Sequence, residues 1–322
     1  MTAQYDMFQT AEDASPSAGR TGTTDRQSKI ALTEIDMVER LVTTGRYRIL
    51  RKLEPRRVVD VVNARHPLRA LILDTETTGL DHRKHEVIEI GVVSFLFNDQ
   101  GEVGDVVGVY GGLQQPMTPI PAEITQLTGI TDQMVAGKSI DMQAVQALLD
   151  DADLIIAHNA GFDRPFCESF SSAFAGKAWA CSVKEVNWPL RGFEGTKLAY
   201  LIGQAGYFHD GHRAVDDCFA LLEVLALPAP DGGNALGELY HASQQARVRI
   251  YAENSPFDMK DHLKARGYRW SDGSDGRPKS WWLEVSEEAL DDERHYLRTE
   301  IYRYPDADPP TKRLTAFDRY RA

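Results

Sequence analysis

Acidic residues recur in three short segments of this chain where a predicted strand or helix begins or ends. The first segment follows the apolar run 71–73 and contains Asp74 and Glu76. Because side chains alternate across a strand, both carboxylates project from one face, with Cβ atoms roughly 7 Å apart. Two close carboxylates repel each other unless protons or divalent cations neutralise them, and hard oxygen ligands suit Mg²⁺ or Mn²⁺. Alone, D-x-E is a weak signal.

Two further segments strengthen the interpretation as a metal site. In LIIAHNAGFD, an apolar strand precedes Asp163, which lies in the first turn of the following helix. In GHRAVDDCFALLEVL, His212 lies on a loop and Asp217 on the next helix, five positions later. Asp216 and Asp217 are adjacent, so a rotation of about 100° separates them on the helix. Apolar residues at the helical spacing from Asp217 favour Asp217 as the one that faces the sheet.

These segments resemble the motifs of the DEDDh 3′-to-5′ exonuclease family, which includes the epsilon proofreading subunit of bacterial DNA polymerase III. The family motifs D-x-E-T-T-G, H-N-x-x-F-D and H-x-A-x-x-D are similar to residues 74–79, 158–163 and 212–217. The likeness covers about residues 68–226 and includes a block, IPAEITQLTGIT, that resembles the family's helix before a substrate-contacting L-T-G-I turn. Arg213 stands where the related DEDDy branch has tyrosine, which favours the DEDDh type.

The resemblance implies an active site with two divalent ions, Mg²⁺ or Mn²⁺. Its catalytic, metal-holding residues are Asp74, Glu76, Asp163 and Asp217. His212 would act as the general base, because an imidazole with a pKa of about 6.5 can accept a proton near neutral pH. The implied substrate-binding residues are Thr77, Thr78, Gly79, Leu80, Leu127, Thr128, His158, Asn159 and Phe162. For the pair 158–159, hydrogen bonds that hold the strand end are an equal alternative.

Strand and helix patterns alternate from residue 70 onward, which predicts a mixed sheet with helices packed on it. The predicted fold class is α/β, a mixed sheet flanked by helices with a small C-terminal α+β module, and the family resemblance implies that this sheet is ribonuclease H-like. The predicted regions are a disordered tail at 1–28, an N-terminal helix and basic extension at 29–67, a DEDDh exonuclease domain at 68–230, a linker helix at 231–246 and an aromatic-rich accessory module at 247–322.

The formal charge of −12 over 322 residues argues, taken alone, against a nucleic-acid partner. The charge is uneven, because residues 70–246 hold 24 of the 48 acidic groups and only 9 of the 36 basic ones. Just before them, residues 46–69 carry eight basic groups and two acidic ones. This stretch is either an arm that contacts phosphates or a charged face that balances the acidic domain, and the second is the more common case.

The C-terminal region holds three of the five tryptophans between residues 270 and 282. Trp281 and Trp282 are adjacent on a predicted strand, so they point to opposite faces. One is expected in the core, and the other requires a covering helix or a ligand. Aromatic and basic side chains together can bind single-stranded nucleic acid, although an aromatic core with a solvated basic rim is an alternative. The candidate contacts are Arg269, Trp270, Lys279 and Trp282.

Other features limit the remaining function classes. No segment has the apolar length of a membrane span or of a secretory signal, which predicts a cytoplasmic protein without a membrane partner. Cys167, Cys181 and Cys218 form no metal-binding spacing and are expected to be buried thiols. His66 and His209 match no motif and are expected at the surface.

The favoured function is a 3′-to-5′ DNA exonuclease of proofreading or repair that acts on 3′ ends, preferably of single strands. A DNA polymerase or repair complex is the expected protein partner. An exoribonuclease of the ribonuclease T or oligoribonuclease type has the same motifs, and the sequence does not separate the two sugars. A non-catalytic binding or assembly subunit is the third alternative.

Overall fold

A computed structural model describes residues 33–60, 64–228, 232–274 and 276–321. The predicted tail at 1–28 lies outside the described residues. Among these described residues, those up to 49 and those from 50 onward form two separate compact units. In the first unit, α1 (Glu34–Thr43) begins with a capping box in which the Thr33 hydroxyl accepts from the Asp36 amide and the Asp36 carboxylate accepts from the Thr33 amide. None of the α1 residues is buried.

The second unit contains a five-stranded sheet in the order β4-β3-β2-β5-β6. Its strands are β2 (Leu68–Thr77), β3 (Val87–Phe97), β4 (Val103–Leu113), β5 (Leu154–Ala157) and β6 (Trp179–Cys181). The first three pair antiparallel, whereas β5 and β6 are parallel to β2. A small parallel pair joins β1 (Arg51–Lys52) to β7 (Tyr207–Phe208). The predicted mixed sheet is therefore confirmed, and the third strand extends beyond its predicted range of 106–110.

Helices cover both faces of this sheet. Their bounds are α2 (Ala122–Thr128), α3 (Asp132–Val135), α4 (Met142–Asp150), α5 (Ala160–Phe170), α6 (Ser182–Glu185), α7 (Leu198–Gln204), α8 (Ala214–Ala226) and α9 (Ala235–Gln244). Alternation along β2 divides the core in two, because Ala70 and Ile72 pack with α8 while Leu71 and Leu73 pack with α5. Burial of these apolar faces holds the helices against the sheet.

The region predicted as a linker helix is part of the core on the α8 face of the five-stranded sheet. Leu236 and Leu239 of α9 are fully buried against the same cluster as α8. The three cysteines are buried free thiols, as expected. Within the described ranges, no helix is long and apolar enough to cross a bilayer.

The C-terminal region forms a second sheet in the order β11-β8-β10-β9, antiparallel throughout. Its elements are β8 (Arg247–Ala252), α10 (Lys260–Ala265), β9 (Arg269–Ser271), β10 (Ser280–Ser286), α11 (Leu290–Tyr296) continued by a π-helical turn (Leu297–Ile301), and β11 (Thr311–Leu314). The expected small α+β arrangement is present, with one additional strand, β11.

The last residues of the chain pack against the larger sheet. The Ala316 carbonyl accepts from the Trp179 amide at 2.8 Å, and the buried Arg164 guanidinium of α5 donates to the carbonyls of Ala316, Phe317 and Arg319. Because charged groups are rarely buried without several partners, these bonds tie the chain end to α5. The C-terminal module is therefore attached to the helix that carries Asp163.

Several basic groups of the stretch 46–69 pair with acidic groups of the larger domain. Lys52 lies 2.6 Å from Asp210, Arg69 lies 2.8 Å from Asp151, and Arg56 pairs with Glu223. These contacts favour the charge-balancing interpretation of this stretch over a phosphate-binding arm.

Candidate active site

Three of the predicted metal-holding carboxylates meet at the end of β2. One oxygen atom from each of Asp74, Glu76 and Asp217 lies within 4.8 Å of the others. Asp217 reaches this group because the start of α8 lies very close to β3. A Cβ atom added to Gly91 would lie 2.3 Å from the Ala214 backbone carbon, so only glycine permits this approach. The structure thus places Asp217 in the group, as the helical pattern predicted.

Asp163 lies on the other side of β2. Its carboxylate accepts hydrogen bonds from the Thr75 amide at 3.1 Å and from the Thr75 hydroxyl at 2.8 Å. Thr75 points away from Asp74, as strand alternation predicts. Asp163 is thereby held behind the three-carboxylate group by neutral donors, close enough to raise the pKa of Asp74 by charge repulsion.

Burial and mutual repulsion disfavour the ionised forms of these carboxyl groups. Burial, followed by repulsion from Asp163 and Asp217, raises the pKa of Asp74 well above its ordinary value. Burial and repulsion from Asp217 and Glu89 raise the pKa of Glu76 to about 8. Burial raises the pKa of Asp163 to about 7, although the Thr75 hydrogen bonds act in the opposite direction. The site therefore lacks positive charge.

A divalent cation fits this donor set. Clustered, partly buried carboxylates whose pKa values are raised by repulsion are stabilised when a hard cation supplies the missing charge. The family that these motifs resemble uses divalent metal ions, and the acidic group offers oxygen ligands of the type that Mg²⁺ and Mn²⁺ prefer.

We expect the stability of the metal-free protein to fall as pH rises between 4.5 and about 8, the ordinary and folded pKa values of Glu76. In this window the native state holds a proton that the unfolded chain has released, so each rise in pH favours unfolding. Divalent metal should stabilise the fold more at the upper end, because fewer protons must then be displaced. Thermal unfolding with EDTA or Mg²⁺ across this window measures both effects.

The variant Glu76→Gln is the matched control for this expectation. It retains the shape of the side chain but has no carboxyl group to titrate, so its metal-free stability should depend less on pH. A wild-type melting temperature that is constant or rises through the window in EDTA would contradict the assigned pKa shift.

The loop before α8 holds both oxygens of Asp217. The His212 amide donates to Asp217 Oδ2 at 2.8 Å, and His209 Nε2 lies 2.7 Å from Asp217 Oδ1. The expectation that His209 lies at the surface is wrong, since its side chain is only 5% exposed. His66, also expected at the surface, is buried near Glu102. His212 is exposed, and among the described residues its ring has no hydrogen-bond partner.

An ion pair that the motifs did not indicate anchors this loop. Arg213 binds the buried Glu89 carboxylate through two nitrogens, and the Ala214 amide donates to the same carboxylate at 3.1 Å. Glu89 lies beside Glu76 in the strand register. The IEIG run, which follows the first motif (residues 74–79, motif one), could have indicated this ion pair, because a carboxylate within an apolar strand requires a partner.

Some of the predicted substrate-binding residues form hydrogen bonds within the protein, and others are exposed. The hydroxyls of Thr77, Thr78 and Thr128 bond to nearby backbone and shape their turns. In contrast, Leu80 is 85% exposed and Leu127 is 54% exposed. Such exposed apolar side chains suit contact with a ligand. Gly79 lies so close to His85 that an added Cβ would be 2.4 Å from the ring.

The second motif (residues 158–163, motif two) contributes one residue with a structural role and two residues that line a cavity. His158 bonds to the Ser182 hydroxyl at 2.7 Å and to the Thr196 carbonyl at 2.6 Å, and burial lowers its pKa. This is the arrangement expected for hydrogen bonds that hold the strand end. Asn159 and Phe162 line a cavity of about 610 Å³ together with Arg269 and Trp282 of the C-terminal module, whereas Trp270 and Lys279 do not line it.

Residues 71–225 match the family model described as exonuclease. A PolC-type DNA polymerase III from Thermotoga maritima is 32% identical over 163 residues, which are 48% of this chain and 11% of that one. A DNA polymerase III subunit epsilon from Treponema pallidum is 28% identical over 185 residues, 55% of this chain and 83% of that one. This chain thus spans about a tenth of the PolC-type relatives.

A solved structure of exonuclease X in complex with 5′ overhanging duplex DNA matches 52% of this chain and 99% of its own. The identity is 22% and the TM-score is 0.36.

Proposed function

Because residues 71–225 form a domain of the exonuclease family, with its ribonuclease H-like fold, we propose that this protein hydrolyses DNA from the 3′ end to 5′-mononucleotides. The observation that carries the proposal is the group of Asp74, Glu76 and Asp217, with oxygens within 4.8 Å of one another. All five DEDDh residues are at or beside this group.

The proposed cofactor is two Mg²⁺ or Mn²⁺ ions. Asp74, Glu76, Asp163 and Asp217 would hold them. Such ions stabilise the negative charge that develops on the attacking and leaving oxygens during phosphodiester hydrolysis.

The chain itself supplies proton transfer and positioning. His212 lies next to Asp217 in space, is exposed, and would take a proton from the attacking water, a role that typically contributes 10²–10⁴-fold. Arg213 and Glu89 hold the backbone on which His212 lies. Exposed Leu80 and Leu127 would pack against the terminal nucleotide.

The proposed substrate is the 3′ end of DNA, with single strands preferred, and the proposed role is proofreading or repair. Similarity to DNA polymerase III chains supports a polymerase or repair complex as the partner. The expected cytoplasmic location is consistent with that role.

We expect a 5′-labelled single-stranded DNA to shorten stepwise in Mg²⁺ or Mn²⁺ and to remain intact in EDTA. The products should be 5′-mononucleotides, because attack at the terminal phosphodiester leaves the phosphate on the released nucleotide. Single-stranded, paired and mismatched DNA are compared with the matching RNA on denaturing gels.

Each other outcome supports a different function. Internal fragments would reject an exonuclease. Faster digestion of RNA than of DNA would support the exoribonuclease alternative. No cleavage of either nucleic acid would support a non-catalytic binding or assembly subunit.

A further inference from the structure

The two faces of the C-terminal sheet have different surroundings. In the register of β9 and β10, Trp281 pairs with Trp270, whereas Trp282 pairs with Arg269. Trp281 packs with Ile250 and Leu297 in the core of the module. Trp282 lies on the opposite face of the sheet and therefore outside the core of the module.

This second face borders a cavity of about 610 Å³, which we call the basic cleft. Its walls are the C-terminal sheet, the first turn of α5 and the end of the chain. Seven of its fifteen lining residues are Lys or Arg, and one, Glu284, is acidic. In a chain with a net charge of −12, so many cations in one cavity form a local positive field that attracts an anionic ligand.

Three guanidinium groups surround the Trp282 ring. The guanidinium carbons of Arg249, Arg269 and Arg277 lie 4.6, 5.5 and 5.6 Å from the ring centroid. Cation–π attraction holds them over the aromatic surface without consuming their N–H donors. This arrangement of fixed donors suits phosphate oxygens, which accept bidentate hydrogen bonds from arginine.

Part of the charge in the basic cleft is not neutralised by the protein. Arg249 pairs with Glu284, Arg319 with Glu185, and Arg321 with Glu168. By contrast, over the part of the chain that the structure describes, Lys184 and Arg269 have no ion-pair partner. Arg247 acts on the Glu185 carboxylate, which Arg319 already pairs.

The basic cleft borders the first turn of α5, the turn that carries Asp163 of the candidate active site. Asn159 and Phe162 line it, and Asp163 follows in the same turn of α5. Arg83, on the loop after motif one, donates to the Ser274 carbonyl of the β9–β10 turn at 3.1 Å. The module therefore contacts the segments after motif one and around motif two.

The positive surface also continues away from that site. A second cavity of about 540 Å³ shares Arg249, Arg277 and Arg321 with the basic cleft and adds Lys312. Two carboxylates also line it, Asp318 and the Glu168 that pairs with Arg321. Two adjoining basic cavities form an extended surface, which matches an extended polyanion better than a single small anion.

We propose that the basic cleft binds the sugar-phosphate backbone of the single strand that leads, from its 5′ side, to the 3′ terminus in the active site. The proposal rests on the function proposed above and adds a role for the C-terminal module. Arginine donors contact phosphates, so binding is independent of sequence and weakens as the salt concentration rises.

The test compares a long single strand with a substrate too short to reach the basic cleft. Arg247→Glu combined with Arg269→Glu reverses two cations of the basic cleft, and Lys184→Glu reverses one on the nuclease side. Lys264→Glu, exposed on α10, is the matched control. Fluorescence anisotropy with a labelled long oligonucleotide in EDTA measures affinity, and turnover in Mg²⁺ is measured for that strand and for a thymidine dinucleotide.

We expect the double variant to bind the long strand at least about tenfold more weakly, because like charges then face the phosphates. The slope of log affinity against log salt should fall by about 0.7 for each phosphate that the variant no longer neutralises. Dinucleotide turnover should be unchanged, and Lys184→Glu should act in the same direction if the double variant fails to fold.

Unchanged affinity for the long strand, or equal losses for both substrates, would overturn the proposed role of the basic cleft. Failure of the wild-type protein to cleave either substrate would instead reject the proposed exonuclease. Because anisotropy is measured without metal, it tests the basic cleft independently of catalysis.

Discussion

The variant Asp74→Asn should lose metal-dependent cleavage almost completely while retaining its fold. Asp74 lies in the three-carboxylate group, and its loss removes one of the charges that would hold the catalytic ions. Metal ions contribute several kcal/mol to such transition states, which corresponds to at least about a thousandfold in rate. Turnover of a 5′-labelled single strand in saturating Mg²⁺ measures this loss.

Stability separates a catalytic effect from a folding defect in this variant. Burial and repulsion by Asp163 and Asp217 disfavour the ionised Asp74, so a neutral amide should leave the metal-free melting temperature equal or higher. Asp216→Asn is the control, because Asp216 neighbours Asp217 but lies outside the metal group. Wild-type turnover by Asp74→Asn, or a clearly lower melting temperature, would contradict the assignment.

The second large effect is expected from His212→Asn, which should lower kcat by about 10²–10⁴-fold, the usual contribution of a general base. His212 has a backbone φ of +63°, a region that asparagine tolerates well and alanine does not. Asparagine therefore removes the imidazole without straining the loop that holds Asp217. Circular dichroism should show an unchanged fold, and single-turnover kinetics report the chemical step.

His209 provides the comparison for this experiment. It lies 2.7 Å from Asp217 Oδ1 and is almost fully buried, so it positions a metal-holding carboxylate. His209→Ala should shift the Mg²⁺ concentration needed for activity, and excess Mg²⁺ should restore part of the rate. If His212→Asn retains full turnover while His209→Ala loses it at every Mg²⁺ concentration, the two roles must be exchanged.

The chemistry of the candidate site and the mixed arrangement of the main sheet could be predicted from the sequence. Asp74 and Glu76 share a face because side chains alternate along any strand, and Asp217 rather than Asp216 faces the sheet because of helical periodicity. These are short-range consequences of local geometry. The spacing of three motifs then indicated a family that has a known arrangement of such residues.

Several side-chain contacts were decided only by the tertiary structure. His209 was expected at the surface, because nothing nearby in sequence shows that its loop folds back onto Asp217. The bond between Arg213 and Glu89 joins residues 124 positions apart. Strand alternation separated Trp281 from Trp282, but only packing showed which of them lies in the core.

The sequence by itself determined which residues carry the chemistry and which local elements present them. The tertiary structure decided that the acidic domain and the basic cleft adjoin one another. Net charge is a sum over the chain, whereas the field that a ligand meets depends on which charges lie near it. A chain of net charge −12 can therefore hold both a cavity lined by seven basic side chains and a separate group of three clustered carboxylates.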